Sequence, residues 1–396
     1  MMEIRFDPKK GIWAEDDETY EKLRKNYFGT KERGGRIRLE IEEALYLITF
    51  QNASCWMGKK QIGFNELASY FAKKDKRLFI KYNAYRDWRD RGLVVKSIDL
   101  VEIKKKRKIR GTRYPAEKLK TKKLRVKIYW YPDSLFSVLE DENLGKKLFN
   151  DYWFGQFGIY KQERGALLKL NFLETIFLAK HFGVRVVNVE NGKEIKPSQI
   201  LRQVTKEREY TKSLYGVYEE WRLRGYVVKT GFKFGSHFRI YFPGASPAKE
   251  EKWIHSKHVL HVFPKEQKLL ISEWARAVRV AHGVKKTFLL SVPELKKKDY
   301  VNYPSDFITY RRKKVGGNWI RETLEDKARY LLVAVSEDEH IGGVELASIL
   351  AKAESMGLNV LLSITDRETS ITYYVLNKIK LPGSRYEYYE IEWMKP

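Results

Sequence analysis

The sequence predicts an α+β protein of tandem units, each consisting of a mixed sheet with flanking helices. Three observations predict this class. Residues 82–97 and 215–230 match in Tyr, Trp, Arg, Gly, Val and Lys positions, and both segments run from an amphipathic helix through Arg-Gly into a β-branched strand. A strand, helix, strand order also occurs twice in the second half. A length of 396 residues agrees with about two to four compact units.

The first two units are related by duplication. A second match precedes the first at almost the same offset, pairing residues 32–34 with 163–165 and residues 43–47 with 174–178. Two related units therefore start near residues 25 and 150. After Lys96 the copies diverge, and the first unit contains nothing like residues 231–235. The first unit is therefore predicted to be shortened and non-catalytic.

A third unit follows at the C-terminal side. Residues 330–335 read as a buried strand, residues 344–351 have helical apolar spacing, and residues 360–364 read as a second strand. This order repeats that of residues 259–290. We predict a first unit over 1–145, a second over 146–310 and a structural third over 311–396. The second unit divides into subdomains at 146–210 and 211–310.

The charge balance points to a polyanionic partner. The formal net charge is +26 and the isoelectric point is near 9.7, and such self-repulsion is typical of proteins that bind nucleic acid. A membrane surface is the alternative, but there is no apolar run of about 18 residues and no signal-peptide pattern at the start. We expect a cytoplasmic protein. The single cysteine, Cys55, excludes an internal disulfide and agrees with a reducing compartment.

A tyrosine, a histidine and a lysine stand on different elements of the second unit, in residues 225–241, 254–257 and 278–286. RNA cleavage by its own 2′-hydroxyl needs a base, an acid for the leaving 5′-oxygen and a cation for the phosphorane charge. A free histidine has a pKa near 6.5, which suits the acid. A free tyrosine has a pKa near 10, so a tyrosine base needs cations nearby. These three groups suffice without a metal.

From about Tyr210 to Val292 the chain resembles the archaeal tRNA-splicing endonucleases. Their catalytic unit reads Arg-Gly-x-x-Val-Lys-Thr-Gly-x-Lys-x-Gly-x-x-Phe-Arg-x-Tyr, then His-Ser, then Val-Arg-x-Ala-His-x-Val followed by basic residues, and this chain matches nearly every position. The resemblance is weaker in the first unit. It implies catalytic roles for Tyr241 as general base, His255 as general acid and Lys286 as transition-state cation. It also implies that Arg279 binds RNA by stacking on a flipped-out base.

The resemblance further implies the substrate and the assembly. The substrate would be precursor tRNA cut at a bulge-helix-bulge junction, giving 2′,3′-cyclic phosphate and 5′-hydroxyl ends with no cofactor or metal. Laying the third unit on the second puts Lys327 at the place of His255 and Leu358 at that of Lys286, so one chain has one active centre. Intron excision needs two cuts, which predicts a homodimer. The acidic loop at 336–340 is a candidate contact with the partner.

Each candidate has an ordinary structural alternative. Tyr241 could simply end a strand, and Arg279 could be an exposed helix charge or an ion-pair partner. His255, His258 and His261 could suggest metal ligation, but on a strand the period of two puts His258 on the opposite face. Lys285 competes with its neighbour as the catalytic lysine, although the family register favours Lys286.

Two other functions remain open at this point. A non-catalytic RNA-binding or assembly subunit would keep the basic surface without needing the three groups together. A metal-dependent nuclease would need clustered carboxylates, and no convincing set lies near Lys229 or Lys286. The loop between Tyr241 and His255 is longer than expected for the family. Basic stretches at 104–110, 118–127 and 296–298 are further candidate phosphate contacts.

Overall fold

The α+β class is confirmed. The computed structural model describes residues 2–32, 34–103, 106–159, 162–247 and 255–396, in which helices flank several sheets. Lys104 and Lys105 of the first basic stretch, Arg33 of the duplicated segment and much of the long loop before His255 lie outside the described residues. In the described ranges, no helix combines the length and the apolar character needed to cross a membrane.

The first unit builds a six-stranded sheet in the order β3-β4-β2-β1-β5-β6. Its elements are β1 (Glu3–Asp7), β2 (Gly11–Ala14), α1 (Asp17–Lys25), β3 (Thr30–Lys31), β4 (Ile37–Leu39), α2 (Ile41–Phe50), β5 (Ser54–Met57), β6 (Lys60–Ile62), α3 (Phe64–Ala72), α4 (Leu78–Asp90) and β7 (Val95–Ser97). Strand β7 leaves this sheet and pairs elsewhere.

A second sheet, in the order β11-β12-β10-β9-β13, repeats this plan. The elements of this part are β8 (Thr112–Arg113), β9 (Lys127–Tyr131), β10 (Phe136–Leu139), α5 (Glu142–Tyr152), β11 (Gln156–Ile159), β12 (Gln162–Asn171), α6 (Phe172–His181), β13 (Arg185–Asn188), α7 (Pro197–Glu207), α8 (Thr211–Leu223) and β14 (Val227–Thr230). As in the first unit, a helix that follows the sheet, here α8, leads into a strand of another sheet.

The rest of the chain contributes most of the strands of an eleven-stranded sheet. The elements of this part of the chain are β15 (Phe238–Tyr241), β16 (His258–Val262), β17 (Lys268–Leu270), α9 (Ile271–Gly283), β18 (Thr287–Val292), β19 (Phe307–Thr309), β20 (Arg312–Val315), β21 (Asn318–Arg321), β22 (Tyr330–Ser336), β23 (His340–Gly342), α10 (Gly343–Met356), β24 (Asn359–Thr365), β25 (Ile371–Lys380) and β26 (Glu387–Met394). Strands β17 and β23 pair with each other, as do β20 and β21, outside the large sheet.

The predicted transition from helix to strand is present in both copies. Helix α4 ends at Asp90 and α8 ends at Leu223. The glycines that follow, Gly92 and Gly225, have φ of +73° and +84°, the left-handed region that a side chain disfavours. At each glycine the chain reverses direction, and the strand that follows belongs to the large sheet.

A buried lysine–glutamate pair recurs at equivalent places. Lys96 Nζ lies 2.9 Å from Glu43 and Lys229 Nζ lies 3.0 Å from Glu174. Each lysine also donates to the carbonyl oxygen of a glycine, Gly29 or Gly155. Both glutamates accept the backbone N–H of that same glycine. Each pair therefore joins a strand of the large sheet to the helix and loop of its own smaller sheet.

The large sheet has two halves in mirrored order. The strands run β14-β15-β16-β18-β26 on one side and β25-β24-β22-β19-β7 on the other, and β26 and β25 pair at the centre. Strand β7 of the first unit thus pairs with β19. The core of the first unit continues into β19, β22, β24 and β25, and Arg77 at the start of α4 is ion-paired with Asp306 at 3.0 Å. The N-terminal part is therefore completed by C-terminal strands.

The two halves also share a register. His258 lies opposite Thr287 between the parallel strands β16 and β18, and Tyr330 lies opposite Asn359 between β22 and β24. Lys327 and Leu358 precede Tyr330 and Asn359 as His255 and Lys286 precede His258 and Thr287. Leu358 is buried in the core. The second half of the sheet therefore repeats the strands of the first half but has no counterpart of His255 or Lys286 at the equivalent positions.

Candidate active site

The three predicted catalytic residues lie at one edge of the large sheet. Strand β15 ends at Tyr241, while its antiparallel neighbour β16 begins at His258, opposite Ile240. One residue beyond this pair, the register places Tyr241 level with Lys257. Strand β18 runs parallel to β16 and begins one residue after Lys286. The end of one strand and the starts of two others therefore meet where the candidate residues stand.

Tyr241 is buried, with 1% of its surface exposed. It pairs with Val227 of β14, and its ring centroid lies 4.8 Å from that of Trp153, which follows helix α5. The guanidinium carbon of Arg239, two residues earlier on the same face of β15, lies 6.0 Å from the centroid of the tyrosine ring. The aromatic ring that follows α5 thus packs on the tyrosine, and the guanidinium of Arg239 lies near its ring.

His255 is exposed and lies in a bend three residues before β16. The expectation that a strand would include His255 is wrong, because pairing starts only at His258. Ser256, its neighbour, is buried, and the Ser256 carbonyl oxygen accepts a hydrogen bond from Lys286. The residues just before His255 lie outside the described part of the chain. The imidazole therefore stands off the sheet, next to the backbone that Lys286 binds.

The structure separates Lys286 from Lys285. Lys285 has a φ of +55°, which closes the end of α9 and turns the chain back toward the sheet. The Lys286 backbone N–H donates to Ala281 at 2.9 Å, and its side chain points inward, with Nζ 2.6 Å from the carbonyl oxygen of Ser256 and 5.5 Å from the ring centroid of Phe234. Lys285 is exposed. Of these two lysines, Lys286 is the one whose side chain reaches the backbone beside His255.

Arg279 is exposed on α9, in the turn before the end of the helix. It lies near Tyr374 on β25, whose hydroxyl donates to the carbonyl oxygen of Ala275 at 3.5 Å; burial raises the pKa of Tyr374, and Arg279 opposes that shift. The arginine thus lies beside a strand from the other half of the sheet. Its exposure leaves it accessible to a base or a phosphate.

A buried tyrosine–histidine contact supports the start of β16. The Tyr114 hydroxyl and His258 Nε2 are 2.9 Å apart. Burial, together with the positive charges of Lys257 and Lys286, lowers the pKa of His258 to about 4. His258 is therefore neutral near pH 7, and its contact with Tyr114 fixes the start of β16, three residues after His255. Sequence reasoning missed Tyr114, because its partner is 144 positions away.

A metal site is not present in the described ranges, where no three His, Cys, Asp or Glu side chains group together. His258 and His261 lie on opposite faces of β16, as the strand period predicts: His258 contacts Tyr114, while the ring of His261 lies 4.3 Å from that of His237. Burial lowers the pKa of His237 to about 4 and that of His261 to about 3. Both are half-buried and neutral near pH 7.

Comparison with known proteins places this site in a family. Residues 211–300 match the family described as tRNA intron endonuclease, catalytic C-terminal domain. A tRNA-splicing endonuclease of Thermococcus gammatolerans is 34% identical over 165 residues, which cover 41% of this chain and 88% of that protein. The chain belongs to the tRNA-splicing endonuclease family.

Other members of the family give the same result. The tRNA-splicing endonuclease of Methanopyrus kandleri is 34% identical over 157 residues, covering 40% of this chain and 82% of its own. That of Hyperthermus butylicus is 32% identical over 162 residues, covering 40% and 86%. The tRNA-splicing endonuclease match at 211–300 spans α8 to β18 and includes every candidate residue of the site.

Proposed function

We propose that this protein cleaves precursor tRNA at its intron boundaries by attack of the adjacent 2′-hydroxyl. The observation that carries the proposal is the convergence of Tyr241, His255 and Lys286 at one sheet edge, with Lys286 Nζ 2.6 Å from the backbone beside His255. Family membership supports tRNA as the substrate. A bulge-helix-bulge junction supplies unstacked nucleotides in which in-line geometry is already partly present.

In the proposed reaction Tyr241 takes the proton of the 2′-hydroxyl and the 2′-oxygen bonds to phosphorus. The bond from phosphorus to the 5′-oxygen breaks, and His255 gives a proton to that oxygen. Lys286 stabilises the additional negative charge on the phosphorane. The products are a 2′,3′-cyclic phosphate and a 5′-hydroxyl. Each step uses side chains of the protein, so the chemistry does not require a metal ion.

The surroundings of each group suit its role. A tyrosine base needs positive charge nearby, and Arg239 lies over the Tyr241 ring. His255 is exposed, so it can exchange protons with solvent between turnovers. Because Tyr241 is 1% exposed, the RNA reaches it by displacing part of its cover. Arg279, exposed on α9, is proposed to stack on a base of the bulge.

We propose a homodimer as the working form. The second half of the large sheet has Leu358 buried at the position of Lys286, so one chain offers one catalytic constellation. Two cuts release an intron, and a symmetric pair of chains presents two centres to one RNA. The unit boundaries at 145/146 and 310/311 stay a prediction, in which the second unit carries the chemistry.

The test is cleavage of an intron-containing precursor tRNA in excess EDTA, with analysis of the product ends. Wild type is expected to yield cyclic phosphate, and His255→Ala to lose about 100-fold or more in rate, since general acid catalysis contributes about 10²–10⁴-fold. Lys59→Ala is the control, because Lys59 is also exposed but lies in the turn between β5 and β6 of the first small sheet. Hydroxyl 3′ ends that appear only with magnesium would indicate a metal-dependent nuclease. RNA binding without cleavage by wild type would indicate a non-catalytic subunit.

A further inference from the structure

A two-stranded ribbon stands outside the large sheet in the second half of the molecule. Strands β20 and β21 pair with each other, Arg312 opposite Arg321 and Lys314 opposite Trp319. Gly316 and Gly317 join them with φ of +55° and +88°. Two consecutive positive φ values form the tight hairpin turn that keeps the ribbon narrow. The basic stretches singled out from the sequence did not include this segment.

The ribbon is strongly cationic. Residues 311–321 contain five lysines and arginines and no carboxylate. The nearest acidic groups are already used, because Asp326 pairs with Lys313 and Glu322 pairs with Arg329. Among the described residues, Arg312, Lys314 and Arg321 have no carboxylate partner. Arg312 donates to the backbone oxygen of Arg91 at 2.7 Å, and the Arg321 guanidinium carbon lies 5.2 Å from the ring centroid of Tyr27.

One face of the ribbon combines these cations with a tryptophan. Residues that oppose each other in an antiparallel pair share a face, as do residues two apart on a strand. Arg312, Lys314, Trp319 and Arg321 therefore lie together. The Trp319 side chain is 67% exposed, and it borders an open groove of about 780 Å³ that Leu93, Arg311 and Arg329 also line. An exposed indole contributes nothing to the solubility of a charged surface, so its position among cations suggests that it binds a ligand.

The position of the ribbon in the second half of the sheet is equivalent to that of the active-site loop in the first half. It connects β19 to β22, just as the segment with His255 connects β15 to β16 in the other half of the sheet. The second half has Lys327 and Leu358 at the positions of His255 and Lys286 and carries a cationic, aromatic hairpin at this edge. The edge that is proposed to bind RNA in the first half thus carries, in the second half, groups that also suit RNA.

We propose that this ribbon binds an unpaired nucleotide of the RNA substrate, with the base stacked on Trp319 and the flanking phosphates on Arg312 and Lys314. The proposal rests on the proposed function, which makes RNA the substrate. Stacking on an exposed aromatic ring suits any base, because every base has a π-face. Phosphate contacts by lysine and arginine position the strand without reading its sequence. The ribbon is a second RNA contact, separate from the cleavage chemistry.

The experiment measures binding and cleavage separately. The probe for binding is precursor tRNA with 2′-deoxy nucleotides at both cleavage sites, titrated at several salt concentrations. Trp319→Ala is expected to raise Kd about tenfold, and Lys314→Ala to reduce the slope of log Kd against log salt by about one. Trp319→Phe keeps a stacking ring and is expected to restore most of the affinity. Lys59→Ala, at the exposed turn between β5 and β6, is the matched charge control.

The outcomes distinguish this proposal from the proposed function. Lys59→Ala is expected to cleave as wild type does, whereas Trp319→Ala and Lys314→Ala are expected to raise KM more than they change kcat, since the ribbon carries no reacting group. If Trp319→Ala and Lys314→Ala bind as wild type does while wild type cleaves normally, the ribbon proposal is overturned and the function stands. If wild type neither binds nor cleaves, the function itself fails. If Trp319→Ala changes the sedimentation coefficient without RNA, the ribbon is a protein interface and the proposal is overturned.

Discussion

At the scale of the residue, adjacent lysines have different environments. Lys285 is in the left-handed region that closes α9, and its side chain is exposed. Lys286 is half-buried, and its ammonium is held by the Ser256 carbonyl oxygen. A positive charge fixed in position before the reaction stabilises developing negative charge without reorganisation. The environment of Lys286, rather than the residue type, supports its assignment.

This difference predicts unequal effects of the two substitutions. Lys286→Ala is expected to lower the single-turnover rate of precursor tRNA cleavage by about 10²–10³-fold, the loss typical of one transition-state donor. Lys285→Ala removes the same side chain from the neighbouring position and is expected to cleave at a rate close to that of wild type. Equal losses in both variants would refute the assignment of Lys286 as the fixed cation.

The buried histidines make stability depend on pH. His258 has its pKa lowered to about 4 by burial and by Lys257 and Lys286, against about 6.5 for a histidine in the unfolded chain. As pH falls from about 6.5 to 4, the unfolded chain binds a proton that the folded chain does not. Stability is therefore lost on acidification, by about 2 kcal/mol for this group between pH 7 and 5.

Urea unfolding at pH 7 and pH 5 measures this effect. Wild type is expected to lose stability between the two conditions, to which His237 and His261 also contribute because burial lowers the pKa of each. His258→Gln is expected to lose less between the two conditions, since glutamine does not titrate. His340→Gln, at an exposed position, is expected to keep the full loss. The same loss in His258→Gln as in wild type would contradict the argument.

At the scale of the element, two buried ion pairs join the large sheet to the small ones. Burial lowers the pKa of Lys229, and the Glu174 carboxylate opposes this shift. Glu174 also accepts N–H bonds from Gly155 and Asn171. The same contacts recur around Glu43, which accepts from Gly29 and Glu40. A pair with this many bonds is costly to break on one side only.

Lys229→Met is accordingly expected to lower the free energy of unfolding by about 3–5 kcal/mol, because it leaves the Glu174 charge buried without its cation. The double variant Lys229→Met/Glu174→Gln removes both charges and is expected to recover part of the loss. Urea titrations of wild type, the single variant and the double variant check this. A double variant that is less stable than the single one would show that the carboxylate, rather than the pairing, is what matters.

At the scale of the whole molecule, the dimer prediction concerns the acidic turn at 336–340. Asp338 is paired with Arg367 at 2.8 Å, and Glu337 lies 4.0 Å from the same guanidinium. The backbone oxygens of Glu337 and Glu339 accept N–H bonds from the start of α9. The turn is thus held within its own chain while the Asp338 side chain remains exposed. An exposed acidic turn complements a basic partner.

Charge reversal tests this prediction. Glu337→Lys/Asp338→Lys is expected to shift the protein toward monomers in sedimentation velocity, because two attractive contacts become repulsive. Asp133→Lys/Glu140→Lys reverses two exposed carboxylates beside the second small sheet and is expected to leave the sedimentation coefficient unchanged. If wild type sediments as a monomer, the homodimer proposal is wrong. If Glu337→Lys/Asp338→Lys still sediments as a dimer, only the proposed role of the turn is wrong.

Local patterns were sufficient for much of the fold. The duplicated helix, glycine and strand motif predicted α4 with β7 and α8 with β14, because left-handed glycine caps and β-branched runs are properties of short segments. The predicted strand, helix and strand near the C-terminal side are β22, α10 and β24. The family motif was also sufficient to select Tyr241, His255 and Lys286 as candidates, because each occupies a fixed position within it.

Contacts distant in sequence decided the rest. Nothing local indicates that β7 pairs with β19, that Tyr114 bonds His258, or that a hairpin in the second half occupies the edge equivalent to the active site. Residue type and pattern period depend on neighbours in the chain, so the sequence alone was enough for several of the elements and for the candidate chemistry. Which edges and buried groups meet depends on how the whole chain buries its apolar surface, and the folded structure was needed to show it.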